Sequence, residues 1–502
     1  MVETVSWTQS GADDPASMVY HYVYSADDKL IKAYTTLEGN NEYAENFTYE
    51  TNGKLNKITN PEGKEYRTSY DAAGRLSKIV DPIADTFTFT YSGNLTTVTD
   101  KYGTTNQYQF GEQEQSDLTI KKIDALGHSV NYTYNTNLQV TGISYLNTVN
   151  GAASPSTISY IYGYDDNGNL TSITGPNGSQ TLYEGYNQWN KPTRMKVKKD
   201  SSTWLTTTYI YDNAGNLLTT TAPSGKTMSN TYGTQNGQSG YLLSTTDRFG
   251  KKTVYTYDTK GRVTEVNEKK ADGTHIRRAA AYTYDAYGNT KTAKDALDNT
   301  TTYDYNDLGF LIKTTYADGT STQQSYSLIG NQLVAKNARG NAVSYTYDDA
   351  GRLIGASYPD GRTNSIAYDK WDSDNDGTND SDKVTKTDGE GRTTIEDYDK
   401  TGRLVKETVG GVTTRYEYDL IGNMVKVTDG AGRVTTAQYD ALGNQTKITQ
   451  VSGQSGVADI SNSFTYDLLG NQLTVTDGQG FTTSYTYDSL NRLQKVTQIV
   501  DG

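Results

Sequence analysis

A tyrosine-aspartate pair, two free positions and a glycine followed by arginine or asparagine return along this chain about every 21 residues. The copies include YDAAGRL from Tyr70, YDDNGNL from Tyr164, YDNAGNL from Tyr211, YDTKGRV from Tyr257, YDDAGRL from Tyr347, YDLIGN from Tyr418 and YDLLGN from Tyr466. Tyr49, Tyr70 and Tyr91 are 21 apart, as are Tyr284, Tyr305, Tyr326, Tyr347 and Tyr368. A fixed period of this length is the mark of a stacked repeat, in which each unit buries its surface against its neighbours.

One unit reads as two strands and two turns. In Gly402–Asp419, the run Leu404 to Val409 alternates, Gly410-Gly411 signals a hairpin, and Thr413 to Tyr418 alternates again. The same return turn is written PDG at Pro359–Gly361, ADG at Ala317–Gly319 and DGAG at Asp429–Gly432. In the second turn the motif aspartate bonds its own downstream backbone and the glycine takes the left-handed conformation. Tyrosines fall two apart, as in Tyr345/Tyr347 and Tyr416/Tyr418, so each pair shares a face of the sheet and successive hairpins are expected to stack them into ladders. No 3.6-residue stripe persists, and helix is excluded.

About 24 such units would make nearly 50 strands, and a flat sheet of that many would run roughly 230 Å at ~4.8 Å per strand. Open twisted sheets curl before that size. The fold class is therefore all-β: one long antiparallel sheet of stacked hairpins that spirals into a hollow shell or an arc of one. Residues 1–502 read as a single continuous array, with insertions at Asn147–Ser156, Asn187–Leu205, Thr234–Leu242, Lys269–Arg278, Lys370–Asp382 and Ser452–Asn462 expected at the sheet rim.

Composition agrees. Hydrophobic residues are 34% of the chain, and 43 of them are tyrosine against 8 phenylalanine; without tyrosine the share falls to about a quarter, too little for several conventional cores. Burial must come from tyrosine. Cysteine is absent, which excludes disulfides, thiol catalysis and thiolate metal sites. A net charge of −13 argues against nucleic acid as partner. No run approaches the ~20 apolar residues of a membrane span. The first residues, MVETVSWTQSGADD, lack the basic and apolar regions of an export signal, so any such signal is expected outside this chain.

These tyrosine-aspartate turns at a period near 21 resemble the YD repeats of the RHS family, which includes bacterial Rhs and wall-associated proteins, toxin-complex shell components and teneurins. The resemblance implies a β-sheet cocoon which, in bacterial members, encloses a C-terminal toxin domain. It also implies a secreted or cell-surface location. The array runs to Val500-Asp501-Gly502 without a core-cleavage segment, so the chain reads as an excised section of a longer protein whose toxin or effector partner lies elsewhere, and autoproteolysis is assigned to no residue.

The sharpest local motif is DSDNDGTNDSD, within an Asp-rich inserted loop at 370–383. Asp372, Asp374, Asp376 and Asp380 with the Thr378 carbonyl match positions 1, 3, 5, 9 and 7 of a calcium loop, and Gly377 allows its bend. Lys383 stands where a bidentate acid is usual, and Asp382 lies one position early. The expected cofactor is a weakly held structural Ca²⁺. Elsewhere the residues favour structure over chemistry. The motif aspartates serve one turn in every copy. His21, His128 and His275 lie far apart without triad partners. Ser224–Thr227 mimics the end of a P-loop without its first glycine, and the Gly-Gln-Ser-Gly copies at Gly237 and Gly453 lack a nucleophile elbow. The expectation is a non-enzymatic shell segment, with a glycan- or partner-binding module as the alternative and a polysaccharide-cleaving enzyme third.

Overall fold

The computed structural model describes residues 2–6, 19–37, 42–270, 274–371, 381–454, 456–488 and 491–498. They form one 43-stranded sheet, β1 (Val2–Ser6) to β43 (Leu493–Gln498). Each strand pairs antiparallel with the next in the chain, and β1 does not pair with β43. The count falls below 50 because units with insertions use more than one period of chain.

A single unit shows why the motif builds this. β30 (Ala342–Tyr347) pairs with β31 (Leu353–Ser357) through Tyr345 to Ala356 and Thr346 to Gly355, then shifts so that Tyr347 faces Leu353 and Ile354 is left over. That extra residue is a β-bulge, which bends the strand and increases its twist. The same shift falls at Tyr70, Tyr164, Tyr211, Tyr257, Tyr418 and Tyr466. A bend recurring at most of the repeats gives the sheet its curl.

The bulge tyrosine also settles a backbone account. The ladder between β29 (Gln332–Lys336) and β30 starts at Val334, so the Gln332 carbonyl has no strand partner. The Tyr347 hydroxyl donates to it at 2.9 Å. Tyr257 does the same for Leu242, Tyr418 for Leu404, Tyr439 for Met424 and Tyr487 for Gln472, at 2.7 to 2.9 Å. Tyrosine outnumbers phenylalanine because the hydroxyl is needed.

The predicted ring ladder is not how these tyrosines meet. Among the described residues the close ring pairs are His21–Tyr34, Tyr241–Tyr257 and Phe310–Tyr326. Motif rings instead lie under the basic residue of the preceding turn: Arg75 over Tyr91 at 4.2 Å, Arg262 over Tyr284 at 4.4 Å and Arg352 over Tyr368 at 4.3 Å. Adjacent motif tyrosines sit two strands apart, too far for direct ring contact, and the long cation spans the gap.

With one layer of sheet the described residues form no conventional core: among them only Ile158 and Ala441 are buried apolar residues. Most side chains on the tyrosine face are half-buried, and the alternate positions are more exposed. Contacts far apart in sequence join residues between 267 and 296 positions apart, which makes the sheet a spiral rather than a closed tube. One turn takes about 24 strands, a circumference of roughly 115 Å at ~4.8 Å per strand. The chain completes nearly two windings.

Insertions behave in several ways. Asn147–Ser156 and Ser452–Asn462 are loops at one edge of the ribbon. Asn187–Leu205 is not a loop, since it contains a strand at Pro192–Lys198. Thr234–Leu242 closes on the tight turn Asn236-Gly237 between two lengthened strands. Lys269–Arg278 and Lys370–Asp382 lie partly outside the described residues.

Tyr347→Phe keeps the ring and removes the donor. It should cost about 1 kcal/mol, the net worth of one such bond, seen by hydrogen exchange as roughly five-fold faster exchange of amides in β29 to β31.

Candidate functional site

The repeated carboxylates come first. Asp348 Oδ1 accepts the backbone N–H of Ala350 at 3.0 Å and of Arg352 at 2.9 Å, and Oδ2 accepts Arg352 Nε at 2.7 Å. Gly351 closes the turn by donating to the Asp348 carbonyl at 2.9 Å, with φ of 80°. At Asp419 the same Oδ2 accepts Asn423 Nδ2 at 2.8 Å. Arginine and asparagine alternate after the glycine because both bring an N–H to that oxygen. The return turns repeat the construction: Asp388 Oδ1 accepts from Glu390 and Arg392, both at 2.9 Å. Each of these carboxylates is occupied by its own turn.

The two turn types line opposite edges of the ribbon, a motif edge and a return edge. Where windings meet, the motif edge of the second rests on the return edge of the first. Lys101, in a return turn, bridges Asp85 at 3.0 Å and Asp382 of the later winding at 3.2 Å, while the Tyr102 hydroxyl donates to Asp382. Burial and the bond to Asp382 push the Tyr102 hydroxyl up to about 12. Burial alone would lower Lys101, but its bonds to Tyr102 and Asp85 and the Asp382 charge outweigh that and hold it raised. Lys64 pairs with Asp349 in the same manner. Farther along, the buried Asn147 amide donates to Asp419 Oδ2 at 3.1 Å, and the Asn150 N–H donates to the Tyr439 carbonyl at 2.6 Å.

Apolar contacts complete the seam. Leu420 and Ile421, the two free positions of a motif turn, form one wall of a cleft of about 520 Å³ whose other wall is Tyr108, Ile123, Ile143 and Leu146 of the first winding. Leu308 and Leu328 face Leu37 across a second such cleft. Sequence reasoning treated these positions as free, and the signal was visible. First-winding turns carry Ala72-Ala73, Asp166-Asn167 and Asn213-Ala214, all exposed; second-winding turns carry Leu328-Ile329, Leu420-Ile421, Ala441-Leu442 and Leu468-Leu469, most of them buried or half-buried.

The calcium-loop residues Asp372, Asp374, Asp376, Thr378 and Asp380 lie outside the described residues. The strands that flank them pair up to Trp371 with Ser381. Asp382 is committed to the seam. Among the described residues no group of three or more His, Asp or Glu is placed to hold a metal. His21 stacks on Tyr34, His128 Nδ1 lies 3.1 Å from Asp124, and His275 Nε2 lies 3.1 Å from Asn267, so the three are not brought together. Ser224 lies in an ordinary return turn, Gly237 in the tight hairpin and Gly453 in a rim loop. One group that sequence reasoning missed is Asp397, fully buried between Lys406 at 2.7 Å and Lys383 at 3.7 Å; nothing in its local sequence separates it from other strand acids. No helix among the described residues is long and apolar enough to cross a membrane.

Turn bonds hold Asp71, Asp165, Asp212 and Asp429 below the ordinary 3.8; for Asp348 and Asp399 burial pushes upward but the same bonds prevail. A carboxylate lowered by folding contributes stability above its unfolded value and loses it as pH falls through the folded one. Urea midpoints should therefore stay level down to about pH 5 and drop steeply below about pH 4, and a flat profile to pH 2.5 would contradict this account.

Comparison with known proteins agrees with this geometry. The RHS repeat model matches residues 49–85, 70–105, 164–203, 284–321, 326–363, 398–434, 421–455 and 466–502, more than half of the chain. No curated protein sequence matches significantly. Two solved structures are similar in fold: the TcdB2-TccC3-Cdc42 structure at 15% identity and TcdB2-TccC3 without its hypervariable C-terminal region at 16%, each covering 99% of this chain with a TM-score of 0.50. This chain spans 27% of the length of either. A spiral of bulged hairpins tied by tyrosine hydroxyls, with the RHS model recurring along it, places the chain in the RHS repeat family.

Proposed function

We propose that this chain is a wall section of a non-enzymatic shell that encloses or displays an effector domain of its parent protein, outside the cell or at its surface. The observation that carries this reading is the seam. Two windings of a single-layer sheet meet edge to edge about 280 residues apart, leaving an interior rather than a packed core. The fold likeness to TcdB2-TccC3 structures, one of them without a hypervariable C-terminal region, supports an effector as the enclosed partner. Glycan binding through rows of tyrosine is less well supported, because many of the phenols are already committed to carbonyls of their own sheet.

A protease-sensitive reporter peptide fused after Gly502 tests enclosure. In the folded fusion its cleavage should be roughly ten-fold slower than for the free peptide, because cutting then requires the wall to open. Equal rates would remove the reading.

The Asp372–Asp380 loop is proposed as a structural Ca²⁺ site on its alternating oxygen ligands. Calorimetry should register a single weak site, lost in Asp374→Asn/Asp376→Asn; no heat at millimolar Ca²⁺ would exclude it.

A further inference from the structure

On the sheet face opposite the motif tyrosines, basic residues commonly meet an acid from the same ladder. Lys426 stands opposite Glu417 and reaches it at 2.7 Å. Lys57 and Arg67 stand opposite one another, a repulsive arrangement, but both reach Glu65, at 2.8 and 2.7 Å. Like charges directly opposite in a ladder destabilise it unless an acid intervenes.

Across β22 (Lys252–Tyr257), β23 (Val263–Lys269) and β24 (His275–Tyr284) no acid intervenes. Lys252 stands directly opposite Lys269, and Lys269 opposite His275. Partners in such a ladder have Cβ atoms about 5 Å apart. Neither lysine makes an ion pair among the described residues. Glu268 belongs to the other face, where Lys251 takes it at 2.7 Å and Arg277 at 2.9 Å. Glu265, the remaining acid of these strands, lies about 13 Å along β23 from Lys269. Arg278, opposite Asn267 on the lysine face, pairs with Asp298, yet its Nε is buried without an acceptor. Lys294, at the end of β25 (Thr290–Lys294), extends the same face and is also unpaired among the described residues.

We infer that the face of β22 to β25 around Lys252, Lys269 and Arg278 binds a compact oligophosphate, a ligand with two or more phosphate groups linked directly. Composition does not account for the cluster, since the chain holds 59 acidic residues against 46 Lys and Arg. Its cations stand in juxtaposition at a cost to the ladder, and an anion between them turns that repulsion into attraction. Phosphate oxygens accept from ammonium and guanidinium groups together, and linked phosphates span the interval from one strand to the next. A long polyanion fits less well, because the rest of a chain of net charge −13 repels whatever extends beyond the patch. The site belongs to a sheet face and is independent of what the wall surrounds.

Calorimetric titration of the full chain with tripolyphosphate at low ionic strength tests this. One site is expected, weakened roughly ten-fold or more in Lys252→Gln/Lys269→Gln and unchanged in Lys57→Gln/Lys426→Gln, which removes two paired lysines of the same face. Inorganic phosphate alone should bind more weakly than tripolyphosphate. Without ligand, Lys252→Gln/Lys269→Gln should unfold at the same temperature as the unmodified chain or higher, because the repulsion is relieved. No binding of tripolyphosphate, equal loss in both double variants, or a lower unfolding temperature for Lys252→Gln/Lys269→Gln overturns the proposal. So does a penta-glutamate peptide that binds as tightly as tripolyphosphate, since the patch would then select acidic peptides.

Discussion

At most of the bulges a strand-start carbonyl is left beyond the reach of its neighbouring strand, and a tyrosine hydroxyl reaches it. A chain with almost no buried aliphatic residues cannot leave such groups open, because an unpaired backbone oxygen shut from water costs as much as the bond it lacks. The phenol resolves this while its ring covers the adjacent strand, so one residue type supplies both burial and bonding. Asp348, Arg352 and Tyr368 show how the tie is passed on: aspartate orders the turn, the turn aims the arginine, and the arginine covers the next tyrosine. Each repeat thereby holds its neighbour, and stability accumulates along the array.

The bulge also has a long-range consequence. The bend, recurring at most motif turns of the 43-stranded sheet, brings the ribbon back on itself after about 24 strands, a turn of roughly 115 Å at ~4.8 Å per strand. The returning edge then meets an edge of different chemistry. Leu420-Ile421 and the Lys101–Asp382 bridge are the two forms this contact takes, one aliphatic and one ionic, and both are made by residues at positions that the repeat leaves unspecified. The unspecified positions thus carry the information about which windings touch.

Much of the unit was legible in the sequence. Tyr347 to Ser357 reads as strand, turn and strand because the alternation, the Asp-x-x-Gly turn and the period all agree, and the structure has β30 and β31 at those places. The expected tyrosine ladder failed for a geometric reason: motif tyrosines recur every second strand, and only a long cation such as Arg352 spans the interval. Asn187–Leu205 read as an insertion because its turn is written NQWNK without the glycine, although Asn190 adopts the same positive φ, 53°, that glycine supplies elsewhere. Asp397 could not be found at all, since its burial between two lysines depends on strands that meet only in the folded sheet.

By itself the sequence determined the strands, the turns, the antiparallel order and the need to curl, because these follow from interactions within about one repeat. It also determined the family, since the motif recurs too often to be incidental. Tertiary structure alone decided the radius of the curl, and with it which turns lie some 280 residues apart yet in contact. That radius is the sum of many small bends, and no single repeat contains it.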